Sequence, residues 1–198
     1  MRHFPASQLI INADGSAFHL HLRPEFLADK GILVGDGDLP DDGRCEGLKI
    51  NGNYFYNTGA EQIRVTEILH INIAHNVMKN CSGNAIVLTQ LGHGADGVFI
   101  NDNRIELGDG AQAALSSLEG GNNYISSVNF NNNTVTGGRY GVYDLVIFTR
   151  GFIRANTFRG QSAAAVCVGT SHNSVRNPYY FFDNIIDEPE GALAFDLP

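Results

Sequence analysis

The sequence predicts an all-β chain wound into a single-stranded parallel β-helix, a solenoid of about six or seven coils. Three observations predict this fold. A fragment made of Asn, any residue and an apolar residue recurs along the chain, and a second column of short apolar segments recurs with it. The segments are short, rich in Ile, Val, Phe and Tyr, and separated by Gly, Asn and Asp, which is typical of strands and turns.

The recurring fragment places one asparagine in each predicted coil. The six copies are Asn53-Tyr54-Phe55, Asn76-Val77-Met78, Asn103-Arg104-Ile105, Asn133-Thr134-Val135, Asn156-Thr157-Phe158 and Asn184-Ile185-Ile186. The steps between their asparagines are 23, 27, 30, 23 and 28 residues. Stacked asparagines can hydrogen-bond along a column and to the turn backbone, and Asn tolerates left-handed backbone conformation. We therefore predict a stacked asparagine, itself left-handed, at the same turn of every coil.

The second column follows each asparagine by about ten residues, and alternation within it assigns faces. Its segments are 62–68, 85–91, 113–119, 143–148, 165–170 and 193–197. Ile63 and Val65 are predicted to face inward, as are Tyr143, Leu145 and Ile147. The predicted outward column is Arg64, Val87, Ala114, Asp144 and Cys167.

The chain divides into a capping segment of residues 1–30 and a β-helix domain of residues 31–198. Within the cap, LIINADG and FHLHL are predicted strands and PEFLADK a short helix. A solenoid needs such a cover because its end exposes core and unpaired strand edges.

Composition restricts the partners. The 198 residues are 43% hydrophobic and 17% charged, which suits a folded core. A net charge of −8 argues against nucleic acid, and no apolar run is long enough to cross a membrane. The first residues lack a signal-peptide pattern. Three widely spaced cysteines predict neither a disulfide framework nor a zinc site.

The repeated turns, such as INGNYF, INDNRI and IRANTF, resemble those of the right-handed parallel β-helix superfamily of pectate-lyase-like proteins, over roughly residues 31–197. That superfamily includes polysaccharide lyases, glycoside hydrolases and bacteriophage tailspikes. The resemblance implies right-handed coils and binding or cleavage of a polysaccharide by an extracellular or virion-surface protein, with a homotrimer as one assembly. A non-enzymatic structural or adhesin module is the alternative.

Residues 2–36 also resemble the opening of nucleoside phosphorylases of the uridine phosphorylase type, through FHL and the strand ILVGD. Those proteins continue with Pro and hold phosphate with a nearby Arg. Here Gly37 and the acidic stretch DLPDDG follow, and these carboxylates would repel phosphate. We therefore do not infer phosphorylase activity.

Carboxylates and sugar-binding side chains on the outward face are the candidate site. Acid–base cleavage of a glycan uses two carboxylates about 5 to 10 Å apart, and adjacent coils are about 4.8 Å apart. The candidate catalytic residues are Asp144, Glu67 and Asp96, and the candidate substrate-binding residues are Arg64, Arg139, Tyr140, Tyr143 and His93. No cofactor is predicted, although the acidic loop GDGDLPDDG (35–43) is a candidate Ca²⁺ ligand set.

Overall fold

The computed structural model describes residues 31–34, 47–66, 69–89, 95–118, 125–144, 150–168, 179–187 and 192–196. These residues form nineteen strands, and no helix occurs among them. The predicted cap of residues 1–30 and the acidic loop 35–43 lie outside the described ranges, as does most of the stretch resembling nucleoside phosphorylases.

The strands are short and follow one another in a repeating order of three. The first are β1 (Ile32–Val34), β2 (Lys49–Asn51), β3 (Tyr54–Tyr56), β4 (Ile63–Thr66), β5 (Ile71–Ala74), β6 (Val77–Cys81) and β7 (Ile86–Thr89). Next come β8 (Ala95–Asn101), β9 (Arg104–Leu107), β10 (Ala113–Leu118), β11 (Ile125–Asn131), β12 (Thr134–Thr136) and β13 (Tyr140–Asp144). The last are β14 (Gly151–Arg154), β15 (Thr157–Arg159), β16 (Ala164–Val168), β17 (Tyr179–Phe182), β18 (Ile185–Asp187) and β19 (Leu193–Asp196).

Each strand pairs in parallel with the strand three positions further along the chain. The strands therefore form three sheets that enclose one interior. Sheet 1 has the order β1-β4-β7-β10-β13-β16-β19, sheet 2 has β2-β5-β8-β11-β14-β17 and sheet 3 has β3-β6-β9-β12-β15-β18. Each triplet from β2-β3-β4 to β17-β18-β19 contributes one strand to every sheet. The predicted all-β parallel β-helix fold is confirmed.

Each sheet contributes to the interior an apolar column that runs through five coils. The columns are Ile50, Ile73, Ile100, Phe130 and Ile153 in sheet 2, Phe55, Met78, Ile105, Val135 and Phe158 in sheet 3, and Ile63, Ile86, Leu115, Val142 and Val166 in sheet 1. These residues belong to a single buried cluster. Because strand side chains alternate, the residues beside them point outward and define the outer faces.

The six predicted asparagines form one continuous stack, here named the asparagine ladder, at the turn between sheets 2 and 3. Asn76 donates both its backbone N–H and its Nδ2–H to Oδ1 of Asn103, each at 3.0 Å, and the same pairing joins every successive pair. From Asn76 onward, Nδ2 also donates to the carbonyl of a sheet 2 residue one coil earlier, at 2.7–2.9 Å. The predicted asparagine stack is therefore confirmed.

The prediction that the ladder asparagines are themselves left-handed is wrong. The left-handed residue is the one before each of them: Gly52 (φ 70°), His75 (55°), Asp102 (55°), Asn132 (54°), Ala155 (53°) and Asp183 (57°). Each of the first five ladder asparagines donates its backbone N–H along the stack, as a strand residue does, so the change in chain direction falls on the preceding position.

Ala155 is the ladder turn's least suitable residue, since its Cβ opposes left-handed backbone, which costs an L-residue roughly 1–2 kcal/mol. We expect Ala155→Gly to raise the free energy of unfolding by about 0.5–1 kcal/mol, the relief being partly offset by glycine's greater chain entropy. Urea unfolding followed by circular dichroism measures it. Ala74→Gly, within strand β5 where φ is not positive, is the control and should destabilise. Equal losses for both variants would contradict this explanation.

Candidate functional site

The outer face of sheet 1 carries most of the described residues that the sequence nominates. The register places Arg64, Val87, Ser116, Tyr143, Cys167 and Asp196 in one outward column. The predicted column is therefore wrong at Ala114 and Asp144, because Ala114 belongs to the core cluster and Asp144 pairs in register with Ser117 and Val168. The prediction also turned Tyr143 inward. The alternation slips because Val142, one residue earlier, occupies the interior.

Three predicted substrate-binding residues lie together on this face. The rings of Tyr140 and Tyr143 stack at 4.6 Å between centroids and 10° between planes, and the Arg139 guanidinium lies 5.2 Å from the Tyr140 centroid. Burial, followed by the neighbouring Cys167 and Tyr140, raises the pKa of the Tyr143 phenol. That phenol therefore stays protonated at neutral pH. The Cys167 thiol donates to Asp196 Oδ2 at 3.6 Å.

The rest of this face is not open to a polymer. Val87 and Ser116 are 0% exposed, Thr66 and Thr89 are 4% exposed, and Tyr140 is 7% exposed. Arg64 is partly exposed and pairs with Glu61 at 3.6 Å. On sheet 1, Arg139 is exposed and Tyr143 is partly exposed, so a sugar can still reach these two side chains.

Of the three predicted catalytic carboxylates, only the Asp96 side chain is described, so the set stays a prediction. Glu67 and His93 lie outside the described residues, and for Asp144 the backbone alone is described. Asp96 is exposed in β8, where its Oδ1 accepts the Gly97 N–H at 2.7 Å. Asp102 lies six residues further along the same chain segment, about 20 Å away at strand rise, which exceeds the reach of a cleaving pair.

Sheet 2 presents a different and open outer face. Its first outward column is Lys49, Asn72, Phe99, Asn129, Phe152 and Tyr180, and its second is Asn51, Ala74, Asn101, Asn131, Arg154 and Phe182. Phe99, Tyr180 and Phe182 are 43%, 46% and 42% exposed. We name Phe99, Asn129, Phe152 and Tyr180 the aromatic strip.

The two outward columns of sheet 2 combine aromatic rings, amides and cations. Phe152 and Tyr180 stack at 4.9 Å and 10°, and the Arg154 guanidinium lies 5.7 Å from the Phe182 centroid. Neither outward column of sheet 2 contains an acidic residue, although the chain carries a net charge of −8. Exposed rings beside amides favour a ligand with both apolar C–H surface and hydroxyl groups.

The strip was not predicted from the sequence, although the sequence contains a signal for it. VFI (98–100), GFI (151–153) and YYFF (179–182) are unbroken apolar runs on a sheet whose first strands alternate. In an alternating strand, an apolar residue at the outward position is surplus to the core. Phe99, between buried Val98 and Ile100, is such a residue.

Metal and membrane sites receive no support from the described residues. Among them, no group of three or more His, Cys, Asp or Glu side chains is placed to hold a metal ion. Nor does the described part of the chain include a helix that could span a bilayer. Cys81 and Cys167 are buried and form no disulfide, and burial raises the pKa of the Cys81 thiol.

Comparisons of the chain with protein-family models, with curated proteins and with solved structures found no match. The fold and the strip thus define the class: a parallel β-solenoid with an aromatic, amide-rich outer sheet.

Proposed function

We propose that the chain is a polysaccharide-binding parallel β-solenoid that holds a glycan on the outer face of sheet 2. The observation that carries the proposal is the aromatic strip, in which Phe99 and Tyr180 are exposed and Phe152 is partly exposed, beside amide side chains on a regular sheet. Pyranose rings pack their C–H faces on aromatic rings and offer hydroxyls to amides, and sites on regular strands hold such groups in fixed positions.

Binding is favoured over cleavage because neither outward column of sheet 2 holds a carboxylate, and the residue paired with Asp96 in the next coil is Ser126. The proposal extends the resemblance to pectate-lyase-like β-helices, with right-handed coils. It also includes an extracellular or virion-surface location, where polysaccharide is met, and a homotrimer as the assembly to test. Arg139 and Tyr143 form a secondary sugar contact in this proposal.

The test is affinity electrophoresis in native gels containing dextran, xylan, galactomannan, hydroxyethyl cellulose, polygalacturonate or alginate. At least one polymer should retard the parent. Phe99→Ala with Tyr180→Ala should weaken the affinity measured from the retardation about fivefold for each ring removed, since an exposed aromatic contact is worth roughly 1 kcal/mol.

The control is Tyr54→Ala with Tyr56→Ala, which removes two rings of similar exposure, 44% and 41%, from sheet 3. Its retardation should equal that of the parent. Equal losses in both double variants, or no retardation of the parent by any polymer, would overturn the proposal. Reducing-sugar release from the same polymers would show a cleaving enzyme instead of a binding module.

A further inference from the structure

Three of the four residues of the aromatic strip carry an aromatic ring, and the fourth, Asn129, does not. Phe99, Asn129, Phe152 and Tyr180 occupy the same position in four consecutive coils. Where two neighbouring coils both carry a ring, at Phe152 and Tyr180, the rings stack at 4.9 Å. One coil step therefore equals one ring-to-ring spacing, and Asn129 stands where the next ring would be.

The space over Asn129 has the width of one inserted ring. Phe99 and Phe152 are two coil steps apart, about 9.6 Å between positions. A flat aromatic ligand in contact on both sides would span about 7–8 Å in all, from contacts of roughly 3.5–4 Å on each face. A puckered pyranose, with C–H bonds on both faces, is thicker and fills the remainder.

The floor of this slot offers a hydrogen-bond acceptor. Asn129 is partly exposed, and its Nδ2 donates to the Ser127 carbonyl at 3.1 Å and the Val98 carbonyl at 3.5 Å. These contacts orient the amide, and no donor to its Oδ1 is found among the described residues. A sugar hydroxyl is a donor of the required kind.

We propose that a single pyranose ring enters edge-on between Phe99 and Phe152 and donates a hydroxyl to Asn129 Oδ1. A ring held in this way stands upright on the sheet with its inner edge on Asn129, so its link to the polymer leaves from an edge that faces solvent. The ligand class is therefore a terminal or branching sugar rather than a residue within a flat-lying linear chain. This inference rests on the proposed function and names the unit that the strip recognises.

The decisive variant is Asn129→Phe, which places a ring between Phe99 and Phe152 and closes the slot. It should fold at least as well as the parent, because the new ring stacks between two existing rings. The retardation by the polysaccharide that the parent binds should fall at least tenfold. Asn72→Phe is the matched control, since it adds a ring on the other side of Phe99 and leaves the slot open. Its retardation should equal or exceed that of the parent.

A second variant guards against misfolding. Asn129→Ala keeps the slot and removes the acceptor, so retardation should fall about three- to tenfold while the urea midpoint changes little. Free monosaccharides (glucose, galactose, mannose and N-acetylglucosamine) should include one that competes with the polymer for the parent.

The outcomes separate this inference from the proposed function. If Asn129→Phe binds as tightly as the parent while the Phe99→Ala, Tyr180→Ala variant loses binding, the strip binds glycan but the slot does not. Competition by adenosine, with none by any monosaccharide, would make the occupant a flat base and overturn the sugar assignment. No retardation of the parent would overturn both.

Discussion

Asn103→Ala is expected to lower the free energy of unfolding by about 3–5 kcal/mol, because it removes a fully enclosed rung of the asparagine ladder. The substitution deprives the Asn76 backbone N–H and Nδ2–H of their acceptor, which is Asn103 Oδ1 at 3.0 Å. It also deprives the Ile73 carbonyl of its donor. Asn103 is 2% exposed and Asn76 is 1% exposed, so water cannot easily replace these partners. Each buried group left without a partner costs roughly 1–3 kcal/mol.

The position of the rung provides the control. Asn184 is the last described rung and is only partly buried, and its Nδ2 donates to the Ile153 carbonyl at 2.8 Å. Asn184→Ala should therefore cost about 1–2 kcal/mol, since no further described rung covers Asn184 and its removal lets water approach the Asn156 donors. Urea-unfolding midpoints, followed by circular dichroism, compare the two variants. Equal losses would mean that burial does not set the strength of the ladder.

Gly141→Ala is the second large effect, expected to cost about 3 kcal/mol or more through overpacking. A Cβ at Gly141 would lie 2.4 Å from Cδ1 of Phe158 and 2.5 Å from the backbone oxygen of Ala165. Phe158 is fully buried and the Ala165 oxygen is backbone, so neither can move aside cheaply. Soluble yield and the urea midpoint are the measurements.

Gly151→Ala tests whether the clash or the loss of glycine matters. There the added Cβ would meet the ring of Tyr179 at 2.7 Å, and that ring is only partly buried on the last described coil. The ring can shift outward, so the loss should stay near 1 kcal/mol. A Gly141→Ala protein as stable as the parent would show that the interior at Phe158 is looser than its packing indicates.

The fold was predictable because it repeats. Each ladder asparagine hydrogen-bonds with the asparagines of neighbouring coils, so the same Asn-x-apolar fragment recurs six times in the sequence. Asn103 lies 30 residues before Asn133, yet the two bond as Asn133 and Asn156 do over 23 residues. The difference in length falls in the connections, which leaves the register of the turn unchanged.

The candidate binding surface was less predictable, because a shift of one residue within a strand moves each side chain from the outer face to the interior. At Tyr143 the alternation slips by one residue after Gly141 and Val142, and a strand pattern read from its apolar residues cannot register that slip. Phe99 was hidden by the opposite cause. It stands among apolar neighbours, and its outward direction is fixed by pairing with Asn72 and Asn129 in adjacent coils.

Stacking links the fold to the proposed function. Parallel strands stack at a fixed spacing, so residues of one column are spaced regularly. The distance between Phe99 and Phe152 is therefore set by the asparagine ladder and the core. Variants that loosen the ladder, such as Asn103→Ala, should therefore weaken glycan binding even though they touch no exposed ring.

Photo-cross-linking can show directly whether the glycan binds the outer face of sheet 2. An oligosaccharide prepared from the polymer that retards the parent would carry a diazirine, and the adducts would be located by peptide mass spectrometry. We predict adducts on sheet 2, within residues 95–101, 125–131 or 151–154. These adducts should disappear in the Phe99→Ala, Tyr180→Ala variant. Adducts confined to sheet 3, within residues 54–56, 77–81 or 104–107, would contradict it.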